Sequence, residues 1–113
     1  MNEMKRIMSL FEGRHCMPDC VEAPILHNIH DITDINLMER QCRKSLKNCT
    51  ELILFVTGLT PALVTVINYC VSKEIPCTLM NYDRTTGRYF RQDIVIPNTK
   101  PIKLPDEVKS LLV

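Results

Sequence analysis

Ten residues, Leu52-Ile53-Leu54-Phe55-Val56-Thr57-Gly58-Leu59-Thr60-Pro61, constrain the fold of this chain more than any others. Five consecutive apolar residues, mostly branched or aromatic, suit a parallel strand covered on both faces rather than a half-wet one. Thr57 and Gly58 end it. Thr60 has the chemistry of a helix N-cap, and Pro61 that of a first helical residue, where a missing N–H costs nothing and the fixed φ is already helical. The free amides of such a first turn point back at the strand end, and with the helix dipole they favour negative charge, as in phosphate-binding α/β sheets. A plain strand-to-helix turn with no ligand has the same local pattern.

The rest of the chain alternates around this unit. Residues 4–11 read as a first strand ending in Glu12-Gly13-Arg14-His15, and a second extended piece is expected near Ile25 to Ile29. Thr33 or Asp34 then caps a helix with Ile35, Met38, Cys42 and Leu46 at helical spacing, and Glu39 and Arg43 form an i,i+4 pair on its wet side. The strand 51–57 is followed by a helix from Pro61 to about Lys73 that is apolar nearly all round, and such a helix must be covered on more than one side. Cys77 to Asp83 reads as a strand, so residues 51–83 make one β-α-β unit. Arg84-Thr85-Thr86-Gly87 is a turn, residues 88–96 return as an antiparallel partner, and Pro105 opens a short terminal helix with acids in its first turn.

With 113 residues there is room for a single domain, residues 1–113, that buries roughly 60% of its unfolded surface. A hydrophobic fraction of 45% without Trp means a core of Leu, Ile, Val, Met and Cys. The formal net charge of +1 argues against a protein that coats long nucleic acid through a broad basic face, while leaving room for a small anionic ligand held by local groups. No run reaches the ~18 apolar residues of a membrane span, and Met1-Asn2-Glu3-Met4-Lys5-Arg6 lacks the apolar region of a signal peptide, so a cytoplasmic location is expected.

Cys42, Cys49, Cys70 and Cys77 fall in or beside apolar periodic segments and are expected to act as small core residues in a reducing compartment. Cys16, Cys20, His27 and His30 contain four ligands that zinc accepts within fifteen residues. Against a metal site, the pairs are too closely spaced, both spacings miss common finger patterns, and Pro18 and Pro24 interrupt the loop, so no metal is assigned.

An apolar strand, Thr57-Gly58-Leu59-Thr60-Pro61, a largely apolar helix, a strand ending Asn81-Tyr82-Asp83 and a hairpin through Gly87 together resemble the core of CARF domains, Rossmann-like folds that sense cyclic oligoadenylates in type III CRISPR immunity. The family's usual turn is Thr-Gly-Gly-Thr followed by Lys or Pro, and here Leu59 stands in place of the second glycine. The resemblance covers about residues 51–92, and with no effector domain in the chain it is nearest to the small stand-alone members, the ring nucleases and cyclic-nucleotide sponges. It implies a small Rossmann-like, CARF-like α/β sheet, mostly parallel with a C-terminal β-hairpin, and a homodimer whose two-fold axis passes through a ring-shaped ligand. The surplus apolar area of helix 61–73 points independently to a dimer.

Each half-site would then supply Thr57, Gly58, Leu59 and Thr60 for phosphate and ribose, Arg14 or His15 from the first loop, and Asn81, Asp83 or Arg84 near the next strand end. Asn81 suits an adenine edge, and Tyr82 suits either stacking or the core. Cleavage of such a ring needs no metal or other cofactor, because a ribose 2′-OH can attack the adjacent phosphate in line. His15 is the candidate acid or base by its intrinsic pKa and Arg14 the candidate charge stabiliser, although an Arg-His pair in a loop is more often simply solvated. A sponge that binds without cutting, and a small interaction or adaptor protein of phage or mobile-element origin, are the alternatives.

Overall fold

A computed structural model of the chain describes residues 4–12 and 16–113. Five strands form one sheet: β1 (Met4–Phe11), β2 (Pro24–Leu26), β3 (Cys49–Phe55), β4 (Cys77–Asp83) and β5 (Arg88–Asp93). Helix α1 (Ile35–Ser45) joins β2 to β3, α2 (Thr60–Lys73) joins β3 to β4, and a single turn, α3 (Asp106–Lys109), lies near the C-terminus. The strand order is β2-β1-β3-β4-β5, with β1 to β4 mutually parallel and β5 antiparallel to β4. This is the expected mostly parallel α/β sheet with a hairpin.

The chain steps from β1 outward to β2, then crosses through α1 to β3 on the other side of β1. The direction of winding therefore reverses between β1 and β3, and that reversal opens the crevice in which such sheets bind ligands at their strand carboxyl ends.

Period-2 alternation divides the side chains between two cores. Met8, Leu10, Leu52, Leu54, Cys77 and Leu79 meet Met38 and Cys42 of α1 and Ala62, Val66 and Cys70 of α2. On the other face Ile53, Phe55 and Met80 are covered by Ile102, Leu104 and Val108, with Met17, Cys20 and Leu111 packed alongside. The second face is thus closed by loop and a one-turn helix. Leu52, Leu54 and Phe55 have no exposed surface, and burying each contributes about 1.5–3 kcal/mol.

Both sheet edges are covered in part by side chains and by the C-terminal segment, which limits pairing with another strand. At β2, Ser45 Oγ donates to the Ile25 carbonyl at 3.0 Å, and the Gln41 side chain bonds both the N–H and the carbonyl of His27. At β5, Tyr89 exchanges backbone bonds with Leu111 and Val113, while the Arg88 guanidinium holds the carbonyls of Leu112 and Ser110.

Several boundaries differ from the sequence expectation. Asp34, not Thr33, caps α1, its carboxylate accepting the Leu37 N–H at 3.1 Å. The antiparallel strand stops at Asp93 rather than continuing to residue 96, because Ile94 and Ile96 turn into the helix-side core. The helix at residues 61–73 is less thoroughly covered than its composition demands: Val64 and Val71, one face apart by seven residues, stay 47% and 43% exposed. No helix of the described residues is long and apolar enough to cross a membrane.

Candidate functional site

The turn after β3 is built differently from the expectation for Thr57 to Pro61. Thr57 is buried, and its hydroxyl accepts the Phe11 N–H at 3.2 Å and donates to the Phe11 carbonyl at 3.3 Å. It therefore ties the ends of β1 and β3 together. Gly58 has φ +92°, and a Cβ placed there would meet nothing within 4 Å, so the glycine is required by backbone conformation and not by crowding.

The N-cap of α2 is Leu59, extended at φ −82° and ψ 136°, with Thr60 and Pro61 already inside the helix. This corrects the assignment of Thr60 as cap. Extending the helix back by one residue puts an apolar side chain where an acceptor is expected, so the amides of the first turn have no side-chain cap.

β4 and β5 run on past the last β3–β4 pair, Phe55 with Met80, and project as a hairpin. Asp83 closes it: its carbonyl accepts the Gly87 N–H at 2.8 Å, and its carboxylate accepts the Thr85 N–H at 2.9 Å and the Thr86 hydroxyl at 3.2 Å. Gly87 sits at φ +71° in this turn. Along the hairpin, Tyr89 stacks edge-on against both Phe55 and Tyr82, with ring centroids 5.0 and 5.3 Å apart. Asn81 donates its amide to the Gln92 side chain at 3.2 Å.

Between the hairpin and the β3 turn lies a crevice of about 630 Å³, a size suited to a small ligand. It brings together four of the residues expected from sequence, Thr57, Gly58, Asn81 and Arg84. Leu59, Thr60 and Asp83 do not line it, and the Asp83 carboxylate is used by the hairpin turn. Arg14 and His15 lie outside the described residues.

The lining also includes Cys16 and Met17 from the β1–β2 connection, Val56, and three aromatic residues, Tyr82, Tyr89 and Phe90. Phe90 pairs with Asn81 across the hairpin, so reading the β4–β5 register from the turn at Gly87 would have placed it beside the expected ligand group. Nothing in local sequence points to Met17, because its place depends on how the loop crosses the sheet end.

Arg84 is the one charged residue lining the crevice among the described residues. Burial, reinforced by the neighbouring Tyr82 and Cys20, pushes the Tyr89 phenol above its ordinary range, so it remains a neutral donor at physiological pH. The aromatics offer flat apolar surface, Arg84 a cation and Asn81 an amide. Among the described lining residues there is no histidine or carboxylate to act as general base. No group of three or more His, Cys, Asp or Glu among the described residues is placed to hold a metal ion, and Cys16, Cys20, His27 and His30 do not form such a set.

Comparison of the chain with protein-family models, with curated proteins and with solved structures finds no match.

Proposed function

We propose that the protein binds a nucleotide phosphodiester in the crevice at the carboxyl ends of β3 and β4, and that the ligand is a cyclic oligoadenylate shared by two copies of the chain in the cytoplasm. One observation carries the reading. The crevice is lined by residues from the two loops that flank the winding reversal between β1 and β3, and it combines a cation with exposed aromatic surface. Phosphate charge suits Arg84, while a base suits the faces of Tyr82 and Phe90, 54% and 48% exposed. The CARF-like resemblance supplies the cyclic ligand and the two-fold axis. Cleavage by ribose 2′-OH attack, with His15 and Arg14 as the acting groups, is the catalytic form of this proposal.

A thermal-shift panel of cyclic adenylates of different ring size, with linear adenylates as controls, tests it. Binding of a cyclic member is expected, and Arg84→Ala should weaken it by about 10- to 100-fold, the scale of a lost charge-assisted hydrogen bond. No shift with any adenylate would overturn the proposal. Ligand that is cut in EDTA would identify a ring nuclease, and ligand recovered whole a sponge.

A second reading has its own observation, the exposed Val64 and Val71 on α2. An apolar stripe of this kind serves a protein interface without any nucleotide. Light scattering on the free protein, and on Val64→Asp, asks whether the stripe holds two copies together.

A further inference from the structure

The hairpin that carries Tyr82, Arg84 and Phe90 stands beyond the body of the sheet. β3 pairs with β4 only as far as Met80, so Asn81 to Asp83 have no strand partner on that side among the described residues. The hairpin rests instead on its own β4–β5 ladder and on what lies along the far edge of β5. That edge is held at two adjacent residues. The Tyr89 N–H donates to the Leu111 carbonyl at 3.0 Å, and the Tyr89 carbonyl accepts the Val113 N–H at 2.8 Å. The Arg88 guanidinium donates to the Leu112 carbonyl at 2.8 Å and to the Ser110 carbonyl. Residues 110–113 are anchored in turn by Val108, which is fully buried in the second core.

We propose, resting on the reading of the crevice as a nucleotide site, that Arg88 is a positioning residue for it: by clamping residues 110–113 to β5, Arg88 fixes the Tyr89 ring and, through it, the Tyr82 face on which a base stacks. The path is short. Tyr82 and Tyr89 are direct cross-strand partners. The Tyr89 ring lies edge-on between Phe55, which has no exposed surface, and Tyr82, at interplanar angles of 80° and 67°. The buried ring anchors the middle one and the middle one braces the outer, since edge-to-face contact has a preferred geometry. Arg88 itself does not line the crevice.

Two bonds from one planar guanidinium fix direction as well as distance, which suits Arg88 to hold a segment in register. Arg84 is placed independently of this clamp. It sits in a turn that Asp83 closes with its own carbonyl and carboxylate. Loosening Arg88 therefore removes the ordering of the stacking face and leaves the cation in place, so the cost falls on base stacking. By linkage, a base held on Tyr82 also makes release of residues 110–113 harder.

The test titrates the full chain and its variants calorimetrically with the cyclic adenylates of the thermal-shift panel. Arg88→Ala is expected to weaken binding about 5- to 10-fold, less than the full worth of a stacked base. The loss should vanish in a Tyr82→Ala background and persist in an Arg84→Ala background, a split that general destabilisation does not produce. In the ligand-free chain, the Tyr82 ring-proton resonances, shifted by the edge contact with Tyr89, should move toward random-coil positions in Arg88→Ala. If Arg88→Ala does not fold, Val113→Pro, which removes the donor to the Tyr89 carbonyl, takes its place in both measurements. Unchanged affinity, equal losses in the two backgrounds or unmoved Tyr82 resonances would overturn the positioning role and leave the nucleotide site standing. A wild-type chain that binds no adenylate would overturn the nucleotide reading and this role with it.

Discussion

Thr57 and Gly58 show how one residue can serve the fold and the crevice at once. The Thr57 hydroxyl is the polar link between the carboxyl ends of β1 and β3, and losing it leaves the Phe11 N–H without that acceptor. Thr57→Val, which keeps the shape, should lower stability by about 1–2 kcal/mol in urea denaturation. At Gly58 the cost is conformational, since the site has space for a Cβ but a φ that L residues avoid. Gly58→Ala should therefore cost about 1–2 kcal/mol, and Gly58→Asn measurably less, because Asn tolerates positive φ. Equal losses for Ala and Asn would show that something other than backbone conformation selects glycine there.

Among the elements, α2 carries the clearest conflict between folding and binding. Its N-cap is a leucine whose side chain cannot accept a hydrogen bond, so the first-turn amides have no side-chain partner. Leu59→Asp should supply the missing acceptor and complement the dipole, raising stability by about 1 kcal/mol, while its negative charge weakens binding of any phosphate at the turn. Thr60→Ala, one residue inside the helix, should leave the cap unchanged. Thermal melts with and without ligand separate the two effects: a Leu59→Asp protein that is more stable and binds cyclic adenylate as well as the wild type would place the phosphate elsewhere.

Over the whole molecule, buried thiols make stability sensitive to alkali. Cys42 and Cys49 have folded pKa values raised by burial, and Cys70 one raised by its contact with Cys77 and by burial, whereas unfolded thiols ionise near 9.0. A group raised on folding stabilises fully below its unfolded pKa and loses that contribution as pH rises through the folded one. Under reducing conditions, stability should hold up to about pH 9.0 and then fall, each protonated thiol contributing a slope of roughly 1.4 kcal/mol per pH unit. Denaturant midpoints measured from pH 7 to 10.5 check this, and Cys42→Ala should reduce the slope by one thiol's share.

The sequence by itself determined the β-α-β unit around residues 51–83, the hairpin closed at Gly87 and the burial of Cys42, Cys49, Cys70 and Cys77, because each rests on local periodicity, turn chemistry or a dense apolar run. It also placed Thr57, Gly58, Asn81 and Arg84 near one another, since all four lie at strand ends that a parallel unit must bring to the same edge. Local pattern favours Thr60 as the cap of α2, whereas the helix begins one residue earlier, with Leu59 as its cap, and buries its Ala62, Val66 and Cys70 in the helix-side core. Only the tertiary structure decided that β2 lies beyond β1, that Met17 and Phe90 share one crevice, and that loop and a single helical turn close the second face. Those are contacts between residues far apart in the chain, set by packing over the whole sheet, and no short window of sequence encodes them.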